Sequence, residues 1–153
     1  MKAVKVWELE AREQIRDLVA RYNANGDSGR FDAMMVLFCE NAVMEIQGQS
    51  YHGVDEIRSL FSAVAEETRE GARARFIRHF TATHQIDILD ERRARGRCYY
   101  QTLTDRGLDH WGRYLDDYLR VGDSWLFEKR CVSVDGRIEG GWSDQANTRL
   151  GER

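Results

Sequence analysis

The chain has 153 residues, which suits one domain around one hydrophobic core. Hydrophobic residues at 42% and charged residues at 32% match a soluble folded protein and exclude a disordered one. The formal net charge of −3 argues against nucleic acid as a partner, because phosphate binding wants a basic excess.

Apolar side chains at Ala11, Ile15, Leu18, Val19 and Tyr22 form one helical stripe, which predicts a helix over residues 7–25. Gly26 is expected to end it in a left-handed cap, with Asp27 in the turn that follows. A second short helix is predicted from Arg30 to about Cys39, then a short strand from Ala42 to Ile46. Gly48 turns the chain into a brief return strand at Gln49 to His52. A third helix opens at Gly53 and buries Ile57, Leu60, Phe61 and Val64. The charged stretch from Glu66 to Arg75 reads as a loop long enough to form a lid.

From Phe76 the hydrophobic period becomes two. Four strands are predicted: Ile77 to Leu89, Ala94 to Leu103, His110 to Val121, and Trp125 to Val134. Turns at Asp90–Arg92, Asp105–Gly107 and Gly122–Ser124 make them consecutive antiparallel hairpins. Without any proline, strand curvature is expected from bulges and from glycines such as Gly96 and Gly112. Residues 137–153 are polar and are expected to drape over the surface or fray, leaving 1–136 as the domain. The layout is α+β, three N-terminal helices on a curved, mostly antiparallel sheet.

Cys39, Cys98 and Cys131 are odd in number and widely spaced, with no zinc-ligand spacing, so they read as small hydrophobes in a reducing compartment. No leader pattern or membrane-length apolar run is present, which predicts a cytoplasmic protein without membrane attachment. The four histidines show no i, i+4 pairing or carboxylate cluster, so no metal site is expected. His84 reads as structural, and His52 and His110 as turn or edge residues.

Several stretches, in this order and spacing, carry a family likeness. They are Tyr22 to Asp27 with Gly29 to Asp32, Leu37 to Val43, His52 to Arg58, Arg78 to Phe80, Gly112 to Asp116, and Gly122 to Arg130. From about Leu9 to Val134 the chain resembles the SnoaL-like branch of the nuclear transport factor 2-like superfamily, on its scytalone dehydratase and bile acid 7α-dehydratase side. The resemblance implies a cone-shaped α+β barrel of the cystatin-like kind, with an apolar pocket at its open end. It also implies a homodimer or homotrimer.

In the dehydratase-like members an aspartate past the first helix holds a histidine at the start of the first long strand. Asp27 and His79 match those positions, and Tyr22 matches a tyrosine that polarises a substrate oxygen. A carboxylate on one imidazole nitrogen fixes the tautomer and leaves the other nitrogen as a base. Asp116 and Arg130 match recurrent polar positions of the last two strands. With Tyr114 and Tyr118 on the same strand face, they are the expected substrate-binding set, although a structural ion pair also fits them. The implied activity is a cofactor-independent dehydratase (lyase) or isomerase acting on a small, apolar, cyclic or polyketide-like carbonyl compound. Two other readings stay open: a non-catalytic ligand-binding or assembly domain related to ring-hydroxylating dioxygenase small subunits, and a polyketide cyclase.

Overall fold

The computed structural model describes residues 3–71 and 74–144, with side chains outside the description over 67–71. Three helices, α1 (Val6–Asp27), α2 (Phe31–Met35) and α3 (Gly53–Gly71), precede most of the sheet. The strands are β1 (Phe38–Ile46), β2 (Gln49–His52), β3 (Ile77–Ile88), β4 (Arg93–Thr104), β5 (Gly107–Val121) and β6 (Ser124–Arg137). They form one sheet in the order β2-β1-β6-β5-β4-β3. All neighbours are antiparallel except β1 and β6, which run parallel. This is the α+β, cystatin-like arrangement expected from the sequence.

The apolar stripe of α1 explains its seat. Ala11, Ile15, Leu18, Val19 and Tyr22 are all buried against the concave side of the sheet. The helix runs further than the sequence suggested, because Gly26 stays inside it. Gly29, at φ 68°, takes the left-handed position instead. Its amide bonds the Gly26 carbonyl at 3.1 Å, and the Arg30 amide bonds the Asn25 carbonyl at 2.9 Å. This double closure is a Schellman motif, and it leaves Asp27 in the last helical turn rather than in a loop.

Two other boundaries move. The second helix stops at Met35 and β1 starts at Phe38, because Phe38 joins the sheet opposite Phe127. Their rings lie 5.2 Å apart, and the Phe127 amide bonds the Leu37 carbonyl at 2.9 Å. The expected loop from Glu66 is a helix as far as Gly71, since Glu, Thr and Arg there continue α3. Of that lid, residues 72–73 lie outside the described residues.

The sheet bends at register shifts in β3 between Ala82 and Gln85 and in β5 at Trp111/Gly112. Gly112 is obligatory there: a Cβ would sit 1.8 Å from the Ser133 carbonyl oxygen. Alternation on β5 falls as expected. Tyr114, Asp116 and Tyr118 are buried, whereas Trp111 and Leu115 lie on the outer face with Phe80 and Tyr99. Of the cysteines, Cys98 is buried and Cys39 and Cys131 are half-buried, all three as free thiols. Among the described residues, no helix is long and apolar enough to cross a membrane.

Candidate active site

Inside the curve of the sheet, between α1, α3 and the strands, lies a cavity of about 810 Å³. That is the size of a small-molecule site. Met34, Leu60, Phe61, Ile77, Val132 and Val134 supply apolar wall, and the polar groups gather where α1 ends and β3 begins.

Asp27 and His79 meet there. The Asp27 Oδ1 lies 2.6 Å from His79 Nδ1, and Oδ2 accepts the His79 backbone N–H at 2.8 Å. The pairing follows from the fold. β3 is an edge strand, so backbone amides on its free side have no strand to bond. The Schellman turn holds Asp27 in the helix, facing that edge. The aspartate side chain is only 8% exposed, and the histidine 24%. A carboxylate in the last turn of a helix faces the negative end of the helix dipole, an unfavourable place for charge. Two hydrogen bonds from His79 offset that cost. They also put the proton on Nδ1, so Nε2 turns its lone pair to the cavity that His79 lines.

Tyr22 lines the same cavity, with its ring in an aromatic cluster with Phe38, Phe61, Tyr114 and Phe127. Burial, partly countered by the Arg130 guanidinium, pushes its phenol up to about 12. The hydroxyl therefore stays protonated at neutral pH and can only act as a neutral donor or acceptor.

The expected substrate-binding set divides. Tyr114 lines the cavity and donates to Asn23 Oδ1 at 3.2 Å. Asp116, Arg130 and Tyr118 are not brought to the cavity; they lie in the core behind it. Arg130 makes a two-point bond to Asp116, 2.8 Å at both oxygens, and Tyr118 adds a third at 2.8 Å. Both ion-pair side chains have no solvent exposure. The physical reason for the correction is burial and charge: Asp116 balances the guanidinium and takes its Nε and Nη2 with both oxygens, and the remaining Arg130 Nη1 is buried without a hydrogen-bond partner, away from the cavity lining. Arg130 also lies 4.0–4.3 Å from the ring centres of Tyr22, Tyr114 and Phe127, so it braces the wall from behind.

A second aspartate–histidine pair was not legible as such. His110 is no edge residue: it is buried, lines the cavity, and its ring centre lies 6.1 Å from that of His79. The register explains the proximity, since His79 pairs with Thr102 and Thr102 with His110, one row across three strands. His110 Nδ1 meets Asp109 Oδ2 at 2.8 Å and Nε2 meets Thr102 Oγ1 at 3.2 Å. Burial lowers its pKa from the ordinary histidine value, with Asp109 opposing. Asp109 further accepts the backbone amides of Trp142 and Ser143 at 2.7 and 3.1 Å. Residues 138–144 thereby return to the cavity, and Trp142 stacks on His110. Of the stretch expected to drape or fray, Arg137 ends β6 and Trp142 and Ser143 line the cavity; residues 145–153 lie outside the described residues.

His84, expected to be structural, sits 3.3 Å from the Tyr118 hydroxyl outside the cavity lining. Among the described residues, no group of three or more His, Cys, Asp or Glu could hold a metal ion.

Comparison with known proteins yields structures rather than curated sequences; no curated protein matches the chain. A protein of unknown function from Mycobacterium tuberculosis superposes with a TM-score of 0.78 at 19% identity, covering 94% of each chain. A candidate scytalone dehydratase from Novosphingobium aromaticivorans DSM 12444 gives a TM-score of 0.72 at 18% identity, over 88% of this chain and 93% of the other. The type 3 hexachlorocyclohexane dehydrochlorinase LinA from Novosphingobium barchaimii LL02 gives 0.72 at 16%, over 88% and 94%. At such identities these similarities establish the fold. Residues 7–131 match the family model described as the SnoaL-like domain, and the chain belongs to that family.

Proposed function

We propose that this protein is a cofactor-independent lyase or isomerase for a small, largely apolar carbonyl compound, cyclic or polyketide-like. One observation carries the reading: the imidazole of His79 is fixed by Asp27 on one side and faces an 810 Å³ apolar cavity on the other. In the dehydration, His79 Nε2 takes the proton next to the carbonyl. The C–H electron pair moves toward the carbonyl oxygen, and the resulting enolate is stabilised by the Tyr22 hydroxyl. The imidazolium, balanced by Asp27, then gives its proton to the β-hydroxyl. That group leaves as water while the electrons return to form the conjugated double bond. Without a leaving group, returning the proton to another carbon gives isomerisation.

Epoxide hydrolysis of the Asp-Arg-Asp kind is poorly served, because Asp116 and Arg130 are locked together behind the cavity. The relatives named above as a dehydratase and a dehydrochlorinase lend support to eliminations in general. The outer sheet face, exposing Phe80, Tyr99, Trp111 and Leu115, is where the expected dimer or trimer contact would form; sedimentation velocity would reveal it.

The test is proton exchange at the α-carbon of 1-tetralone in D2O, followed by NMR, together with a panel of cyclic β-hydroxy ketones. Wild-type protein should accelerate exchange and His79→Ala should not. Equal rates for both would remove the proposal.

A further inference from the structure

Asn23 takes no part in the chemistry above, yet it is 93% buried and lines the cavity. It stands four residues before Asp27 on α1, so the two side chains are neighbours on one helix face, with Cβ atoms about 5–6 Å apart. A buried amide must place two donors and an acceptor. The acceptor is spoken for, since Oδ1 takes the Tyr114 hydroxyl at 3.2 Å. The amide orientation follows from that bond. Turned over, it would offer N–H groups to the phenol and leave the Tyr114 O–H without an acceptor. The Arg130 guanidinium, 4.0 Å from the centre of the Tyr114 ring, draws electron density from the phenol and favours its donating role. The Nδ2 group is then the end without a partner among the described residues. It is not sealed from solvent-sized space either, because the only such buried and unbonded atom there is Arg130 Nη1.

A buried amide N–H pair open to an apolar cavity and pinned from behind is a preorganised donor for a ligand oxygen. We infer that Asn23 is the specificity-determining residue of the site, its Nδ2 binding the carbonyl oxygen of the substrate beside the Tyr22 hydroxyl. The inference names the oxygen ligand for the proposed reaction and therefore rests on that reading for its catalytic meaning, although the binding itself does not need catalysis. It also narrows the substrate class. The ligand must carry a bare acceptor oxygen, a ketone or enone carbonyl, positioned at the α1 wall. Its acidic α-carbon lies toward His79 and its hydrocarbon body lies toward Leu60, Phe61, Val132 and Val134. A hydrocarbon of the same shape leaves Nδ2 unsatisfied and is discriminated against.

The experiment compares 1-tetralone with tetralin, two ligands that differ by one carbonyl oxygen, in titrations of intrinsic fluorescence. Wild-type protein should prefer the ketone. Asn23→Leu, nearly the same size, should lose about 3–10-fold in ketone affinity, the worth of one neutral hydrogen bond, and keep tetralin within about twofold. Tyr114→Phe, which frees the amide to turn, should lower the ketone preference by a smaller factor. His79→Ala should keep it. An unchanged ketone preference in a folded Asn23→Leu overturns the inference, as does equal weakening of both ligands in Asn23→Leu and Tyr114→Phe. Proton exchange on 1-tetralone separates the two ideas. Exchange with no dependence of ketone preference on Asn23 sinks this inference alone. An Asn23-dependent preference without any His79-dependent exchange leaves it standing and sinks the acid–base reading.

Discussion

The molecule contains two aspartate–histidine pairs whose rings lie about one side chain apart, and they are built for opposite ends. Asp27 and His79 come from different elements, 52 residues apart, and only one ring nitrogen is engaged. Asp109 and His110 are adjacent on β5, and both imidazole nitrogens are occupied, by Asp109 and Thr102. Asp109 spends its remaining acceptor capacity on the backbone of residues 142 and 143. The same two residue types therefore leave one imidazole nitrogen without a partner beside a cavity in one place and make a structural clamp in the other. What separates them is whether a lone pair is left over. Residue identity alone does not predict reactivity; the count of satisfied nitrogens does.

Mutations can break or sharpen this contrast. The largest effect is expected from His79→Ala, which should lower turnover about 10²–10⁴-fold, the usual worth of a general base. Its melting temperature should fall as well, but by less than the turnover, because Asp27 loses one hydrogen bond from the ring and keeps the one from the His79 backbone amide. His110→Asn should do the reverse, moving the melting temperature more than turnover; turnover as low as that of His79→Ala would collapse the distinction. Asp109→Ala comes next. It strips the acceptor from an imidazole N–H and two backbone amides at once, and should cost about 2–4 kcal/mol in urea unfolding. A loss under about 1 kcal/mol would mean that the clamp is ornamental.

Acidification gives a subtler test. Burial holds the His110 pKa below its unfolded value of 6.5, so the folded state prefers the neutral ring. This contribution is fully present above the unfolded value and is lost as pH falls through 6.5 toward the depressed one. Wild-type stability should therefore decline from pH 7 to pH 5, and His110→Asn should decline less steeply. Parallel melting curves for the two proteins would reject the assignment. The smallest effect belongs to Thr102→Val. Losing one hydrogen bond to His110 should cost about 1 kcal/mol and leave proton exchange at 1-tetralone unchanged.

Much of this architecture can be read from residue order. The stripe on α1, the hairpin turns of β3 to β6 and the alternation on β5 all depend on local periodicity, and they fall where expected. Asp27 and His79 were legible through family resemblance, since nothing local joins residues 52 positions apart. Missed features share a cause. His110 looked like an edge residue because rings packed on it come from distant positions, Trp142 32 residues and His79 31 residues away, and Asn23 is marked only by Tyr114, 91 positions away. Asp116 and Arg130 look the same in sequence whether they face a ligand or each other. Register decides, and register is a property of the folded sheet.

The parallel seam between β1 and β6 has a consequence for biosynthesis. The first described strand to leave the ribosome borders the last described one, and more than eighty residues must be made after Ile46 before Val43 to Ile46 can find Lys129 to Val132. Until then β1 has only the short β2 beside it, and a large apolar surface waits uncovered. Folding should therefore finish in one late, cooperative step, and nascent chains halted before residue 124 should depend on chaperones to stay out of aggregates.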